Sequence, residues 1–319
     1  MINIILFKTI LFTRKTLQNG GEFLLKQMSK KLWGLIPDNV YQRAYTQLKI
    51  SALGTRDDKV FLETLDGVVF LGPLKESNFN CEEPYLKRAL SCLEKSCLST
   101  QVSRAHAALV HNLVYRFVTE FSAYPYAGRL TNLRGGDVFV DIGAFRGYVT
   151  LKASHIVGQS GFVIAIESTH ENCEFIRSHK QLNSCRNIEI IEKALSTSVD
   201  DYIEFFESEN QCNSQIDDNL KWASEPPRKV RIPNLSTKKL SELILGKQIQ
   251  RVILSITTNG TEIDLMSKII SELSGRVKYL EFIVPIIYYD AAEMRSLELV
   301  SESYCLEIFY PWARVICVN

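Results

Sequence analysis

The chain has 319 residues, 46% of them hydrophobic and 23% charged, enough apolar material for one large core or two modest ones. A formal net charge of +1 argues against a polyanion such as nucleic acid as partner of the whole molecule. Eight scattered cysteines, with no C-x-x-C pair and no Cys/His cluster, support neither a metal site nor a disulfide framework and point to a reduced, cytoplasmic setting.

The first fifty residues carry Lys8, Arg14, Lys15, Lys26, Lys30, Lys31, Arg43 and Lys49 against only Glu22 and Asp38, an excess of six positive charges. Met1 to Phe12 is apolar but too short to span a bilayer, and no basic residue precedes it as a secretory signal requires. Residues 1–31 suit either a helical arm packed on its own domain or peripheral contact with an anionic membrane surface. Asp66-Gly67 between the apolar runs Val60–Leu65 and Val68–Leu71 predicts a β-hairpin. Apolar residues at helical spacing predict helices over Glu83–Leu98 and Ser103–Phe121. On the second, His106 and His111 are five apart, cannot share a face as metal ligands, and read as surface or boundary histidines. Residues 1–130 thus form an N-terminal helical and hairpin cap, with Tyr124 to Gly128 as a hinge into a second region, 131–319.

Asp137-Val-Phe-Val-Asp141 reads as a short buried strand, and Gly143 and Gly147 mark a tight turn onto a helix through Tyr148, Leu151 and Ala153. A glycine turn at a helix N-terminus offers backbone N–H groups to a ligand and room against the backbone. The spacing Asp-x-Gly-x-x-x-Gly lacks the three glycines of a dinucleotide fingerprint, which argues against an NAD-type oxidoreductase. Asp141 at the strand tip repels phosphate and attracts an ammonium group. S-adenosylmethionine carries an ammonium and a sulfonium and no phosphate, so the pattern favours it; the plain alternative is a βα turn that binds nothing. The next strand, Gly161–Glu167, is apolar and ends in an acid able to accept hydrogen bonds from ribose hydroxyls.

Further strands follow at Ile188–Glu192, Asp201–Phe206 and Val230–Ile232, with a polar segment over 207–228. A helix over Leu235–Leu245 is expected to stop at Gly246. Gln250–Ile256 is a fourth parallel strand, followed by a helix over 262–274 and strands at Val277–Val284 and Ser303–Val318. Alternating β and α units with apolar strands argue an α/β fold with a doubly wound, mainly parallel sheet.

Residues 137–195 resemble the core of the FkbM-type S-adenosylmethionine-dependent methyltransferases, a class I, mostly O-methylating family. The segments that carry the likeness are DVFVDIGAFRGYVTLKAS, the strand end GFVIAIES, the helix closing in HKQLN, and IEIIEKALS. A weaker match runs to about residue 270. There the family has K-I-D-V-E-G-A-E and this chain reads Ser255-Ile-Thr257-Thr-Asn259-Gly260-Thr-Glu262. The resemblance implies a seven-stranded Rossmann-like sheet and S-adenosyl-L-methionine held by Asp141, Gly143, Ala144, Phe145, Gly147, Tyr148, Glu167, Ser168 and Ala194, the last under the adenine beside Lys193. It also implies methyl transfer to a small-molecule hydroxyl, on a sugar, lipid-linked or polyketide-like acceptor, with no metal.

In the family, the acids of the later motif sit beside the transferring methyl. Here their positions hold Thr257 and Asn259, and only Glu262 remains, one helical turn in. These three are the expected catalytic residues, although Glu262 equally suits an acid stabilising a helix N-terminus. Tyr288 and Tyr289 suit either substrate contact or packing. The altered motif opens a second function class, a catalytically degenerate fold kept as a binding or scaffold module.

Overall fold

The computed structural model describes residues 38–74, 83–95, 102–119, 128–207, 228–248, 250–286, 289, 291–309 and 312–318. The basic arm over 1–31, most of the hinge, the polar segment 208–227 and Tyr288 lie outside them. Among the described residues no helix is long and apolar enough to cross a membrane.

The cap begins with α1 (Asp38–Leu48) and a three-stranded antiparallel meander, β1 (Ile50–Arg56), β2 (Lys59–Thr64) and β3 (Val69–Pro73). The Asp66-Gly67 turn joins β2 to β3 as expected, with Gly67 at φ 77°. Helices α2 (Glu83–Lys95) and α3 (Arg104–Thr119) follow. His106 corrects the sequence reading: it is buried, pairing one ring nitrogen with the Gly54 carbonyl at 2.9 Å and the other with the Ser103 hydroxyl at 2.9 Å. An apolar run on both sides of a histidine cannot show that a backbone carbonyl waits to receive it.

The larger sheet contains β4 (Val138–Ile142), β5 (Phe162–Glu167), β6 (Ile188–Glu192), β10 (Arg251–Ile256), β11 (Tyr279–Pro285), β12 (Cys305–Phe309) and β13 (Trp312–Val318). Its spatial order is β12-β13-β11-β10-β4-β5-β6; all neighbours pair in parallel except β13, which is antiparallel to both β11 and β12. Helices α4 (Tyr148–Val157) and α5 (His170–Leu182) connect β4, β5 and β6; α6 (Thr237–Gly246), α7 (Glu262–Leu273) and α8 (Ala291–Val300) serve the other half. Three short strands, β7 (Ala194–Ser196), β8 (Tyr202–Glu207) and β9 (Arg228–Ser236), make a second small sheet. Gly246 is the last residue of α6 and not the left-handed stop; Gln248 takes that conformation, at φ 58°.

Side chains alternate across the strands, as the pleat demands. Val138, Val140, Leu254 and Phe282 face a core with α6 and α7. Phe139, Ile253, Ile283 and Trp312 face the other way, into an apolar cluster shared with Tyr41, Leu62, Leu109 and Leu113 of the cap. Cap and sheet therefore bury one continuous core. The chain around residue 130 lies on the sheet: Arg129 bonds Ser255 on β10 and Asn132 bonds Glu281 on β11.

Polar contacts fasten the cap where pairing ends. Strand β3 is an edge strand, yet its outward backbone groups are filled by side chains from the sheet region. The Leu71 N–H donates to His179 Nε2 at 2.8 Å, and the Leu71 carbonyl accepts from the Tyr148 hydroxyl at 2.8 Å. Asn183 takes both groups of Val69, at 2.8 and 2.9 Å. With its Nε2 accepting, His179 donates from Nδ1 to the Arg146 carbonyl at 2.9 Å, so the ring must be neutral. Burial lowers its pKa from 6.5 to about 4.

Successive strands are added on one side from β4 and on the other from β10, so the boundary between these two parallel strands is the switch point at which open α/β sheets bind ligands. The two strand ends close tightly there. A Cβ on Gly143 (φ 76°) would lie 2.3 Å from the Thr257 carbonyl oxygen.

Two predictions follow from these contacts. Because His179 has a folded pKa of about 4 against 6.5, its stabilisation is complete above pH 6.5 and is lost as pH falls towards 4. Denaturant unfolding between pH 7.5 and 4.5 should show that part of the slope, about 3 kcal/mol, vanish in His179→Gln; equal slopes for both proteins would refute it. Gly143→Ala should cost about 2–5 kcal/mol, from left-handed strain plus overpacking against Thr257. Unchanged melting would show that β10 retreats freely.

Candidate functional site

The site is built where β4 ends. Two residues after Asp141 the chain turns at Gly143 and enters α4 after Gly147, which caps the helix in the left-handed conformation at φ 77°. Phe145 is also left-handed, at φ 52°, a strained state for a bulky side chain that persists only where neighbours hold it. The holder is Glu167: its Oε2 accepts the Phe145 N–H at 2.8 Å. Its Oε1 accepts the Thr169 N–H at 2.9 Å and, more weakly, the Asn172 amide at 3.4 Å. Burial raises the Glu167 pKa, and the backbone N–H groups of Thr169 and Phe145 work against that rise.

The turn's other donors point inward as well. The N–H groups of Gly143 and Ala144 both donate to the Ile166 carbonyl, at 2.9 and 3.1 Å, and that of Gly147 donates to Ala144 at 2.9 Å. Ala144 packs with Ala165 and Ile176. Ser168 follows Glu167 at the strand edge, half-buried. Tyr148 faces away from the turn, its hydroxyl given to Leu71 and its ring fully buried. Ala194 begins β7 and packs with Phe205 and Ile232. Asp141, Gly143, Ala144, Phe145, Gly147 and Glu167 thus gather in one place, while Tyr148 and Ala194 belong to its supporting walls.

Asp141 is 1% exposed. Its Oδ2 accepts from the Thr150 hydroxyl at 2.7 Å, and its Oδ1 lies 3.9 Å from Arg129 Nη1. Arg129, 4% exposed, donates to the Ser255 hydroxyl at 2.6 Å and stacks over Trp312 at 4.8 Å. This guanidinium was not expected from the sequence. No local pattern marks Arg129, because its place depends on where residues 128–134 run across four strands. Thr150 carries a weak signal, since the first turn after a glycine bend returns towards the strand tip. Arg146, inside the turn, lies over Phe145 and Phe175, with centroid distances of 4.8 and 5.3 Å.

Across the switch point, Thr257 lies at the turn, as its strand position requires. Its hydroxyl donates to the carbonyls of Ile142 and Gly143, at 3.0 and 3.1 Å, so it closes the bend. Asn259 is half-buried and left-handed at φ 58°. Glu262, 2% exposed, accepts the Thr258 N–H at 3.0 Å and the Gly260 N–H at 2.8 Å. Burial raises its pKa, and backbone N–H groups of the same loop oppose the rise. Glu262 therefore acts as the clasp of loop 258–260 at the start of α7. Tyr289 is half-buried nearby, its hydroxyl without a hydrogen-bond partner among the described residues; burial, then Glu262 and Glu293, push its pKa up. Among those residues no group of three His, Cys, Asp or Glu side chains could hold a metal ion.

No family model matches the chain, and no curated relative does. Solved structures give partial superpositions. One is a SAM-dependent methyltransferase from Aquifex aeolicus, at 13% identity and a TM-score of 0.32, covering 58% of this chain and 83% of that one. A second is fibrillarin from Aeropyrum pernix with natively bound S-adenosyl-L-methionine, at 10% and 0.36, covering 85% and 100%. A third is precorrin-6y C5,15-methyltransferase from Geobacter metallireducens, at 17% and 0.32, covering 59% and 83%.

Proposed function

We propose that the chain is an S-adenosylmethionine-dependent methyltransferase acting on a small-molecule hydroxyl, the class of acceptor that the FkbM-type resemblance implies. One observation supports this most: Asp141 and Glu167 stand at the carboxyl ends of neighbouring parallel strands, on either side of a glycine turn, at the switch point. Acids in both places disfavour a phosphate and suit a ligand that brings a ribose and a charged amino acid. Glu167 already accepts the Phe145 and Thr169 N–H groups and the Asn172 and Thr169 side chains, so a ribose hydroxyl would take the place of one of the two side-chain donors. At the other end, Asp141 and Arg129 set opposite charges side by side, which matches the ammonium and carboxylate of a methionine tail. Both are nearly covered, so the tail reaches them only as the chain around Arg129 gives way.

When bound, the cofactor supplies an electrophilic methyl on its sulfonium. What the protein contributes is alignment, because methyl transfer to oxygen is an in-line displacement. The three residues expected to be catalytic are used otherwise: Thr257 closes the turn, Glu262 clasps its loop, and Asn259 carries no base. The acceptor hydroxyl then loses its proton to water. The same observation favours a second reading, a cofactor-binding module without turnover. Peripheral membrane contact through residues 1–31 stays a proposal that rests on charge alone.

Isothermal titration with S-adenosylmethionine and S-adenosylhomocysteine should give a measurable Kd, and ligand at 100 Kd should stabilise the fold by about 2.7 kcal/mol. No heat and no thermal shift at millimolar ligand would eliminate both readings. Glu262→Gln places an amide NH₂ against a backbone N–H and should cost about 1–3 kcal/mol of stability. Its turnover per folded molecule should stay within about threefold of wild type; a fall of about a hundredfold or more would restore Glu262 as general base.

A further inference from the structure

A cleft of about 380 Å³ opens between the end of α1, the β2–β3 turn and α4, and no residue of the switch point lines it. Its volume falls within the range of small-ligand sites, about 300–1,000 Å³. The floor is apolar: Leu48, Val68 and Phe70 line it, each no more than 5% exposed. Leu65 also lines the cleft but is 70% exposed, so a large apolar side chain faces water beside an apolar floor. A ligand that covered both would remove that area from water.

Two ammonium groups belong to the same cleft, Lys49 between α1 and β1 and Lys152 on α4; among the described residues neither is hydrogen-bonded or in a close ion pair. Lys49 is left-handed, at φ 46°, a conformation uncommon for a residue with a side chain. Its carbonyl accepts the Leu65 N–H at 2.8 Å, which ties it to the turn that carries Leu65. Asp66 is the acid of the cleft. The Thr64 hydroxyl donates to it and holds its carboxyl below the usual range, against burial and with help from Lys152, so it is ionised at pH 7. Burial lowers the pKa of His155 beside it, which keeps that ring neutral at pH 7. The cleft therefore holds one positive charge that its own acid does not balance. Solvated lysines alone require no apolar floor, and an apolar floor alone requires no cations.

We infer that this cleft binds a free monocarboxylic acid with an apolar chain, the chain lying on Leu48, Val68, Phe70 and Leu65 and the carboxylate received by Lys49 and Lys152. One negative charge balances the cleft; a dianion overshoots it and a cation adds to the excess. The bound acid ties the cap, through Lys49 and Leu65, to α4 through Lys152. Phe70 carries that tie to the docking contacts, since its ring lies against those of Tyr148 and His179, with centroid distances of 6.3 and 6.5 Å. Nothing in this depends on what the switch point binds.

The test is calorimetric titration of the full chain with decanoate, decanol and decylamine, all below their micelle concentrations, with melting curves at each ligand concentration. Decanoate should bind with a Kd of about 1 mM or tighter and raise the melting temperature. Decanol and decylamine should each bind about tenfold more weakly or worse, since both lack the charge that the lysines receive. The double variant Lys49→Gln, Lys152→Gln should lose about tenfold for decanoate and keep its affinity for decanol. Leu65→Gln, at an exposed position, should weaken decanoate and decanol alike. Equal binding of decanoate and decylamine, wild-type affinity for decanoate in the double variant, or a fall in melting temperature with decanoate would overturn the inference. If the double variant does not fold, the wild-type ligand series decides alone, and no binding of decanoate at about 10 mM overturns it as well.

Discussion

The structure depends on how strand β3 ends its sheet. An edge strand with open N–H and C=O groups must find partners or invite another chain. Here Leu71 is held on both groups by His179 and Tyr148, and Val69 on both by Asn183. Tyr148 opens α4, His179 lies on α5 and Asn183 caps its C-terminal end, and these are the helices that leave the glycine turn and Glu167. The bonds that dock the cap therefore also fix the rotation of both helices over the site. His179 makes the link explicit, since its second nitrogen holds the Arg146 carbonyl inside the turn.

Acids at the switch point serve structure before chemistry. Asp141 is bonded by Thr150, Glu167 keeps Phe145 in a left-handed conformation, and Glu262 gathers two amides of its loop. Each would be expensive to bury without these donors. Glu167 and Glu262 are alike in this, each with one backbone N–H on either carboxylate oxygen.

Much of this was legible in the sequence because it is local. A run of apolar residues, a glycine pair and a helical period fix β4, its turn and α4 within two residues, and an Asp-Gly pair fixes the β2–β3 hairpin. What escaped is set by distant parts of the chain. Strand β1, with Ser51, Gly54 and Thr55 in it, has no strong β pattern and owes its state to pairing with β2. Arg129 meets Ser255 across 126 residues and His106 meets Gly54 across 52, and neither residue advertises its partner. Tyr148 was expected at the cofactor because it follows the turn; the helix rotates it towards the cap instead.

Strand β4 lies at the centre of the sheet, yet it is the first of its strands to be made. One side is covered soon, by β5, but the other waits for β10, which joins it through contacts such as Arg251 with Asp137, 114 residues apart. During synthesis, Val138, Val140 and Ile142 must stay without their far-side neighbour while more than a hundred residues emerge. Loop closure over that distance makes the central pairing slow, and the half-sheet of β4, β5 and β6 with its open apolar flank is the species most exposed to sticking to other chains. The cap is made earlier and lies against the opposite face, so it shields Phe139 during that interval and leaves the β10 side to the folding helpers of the cell.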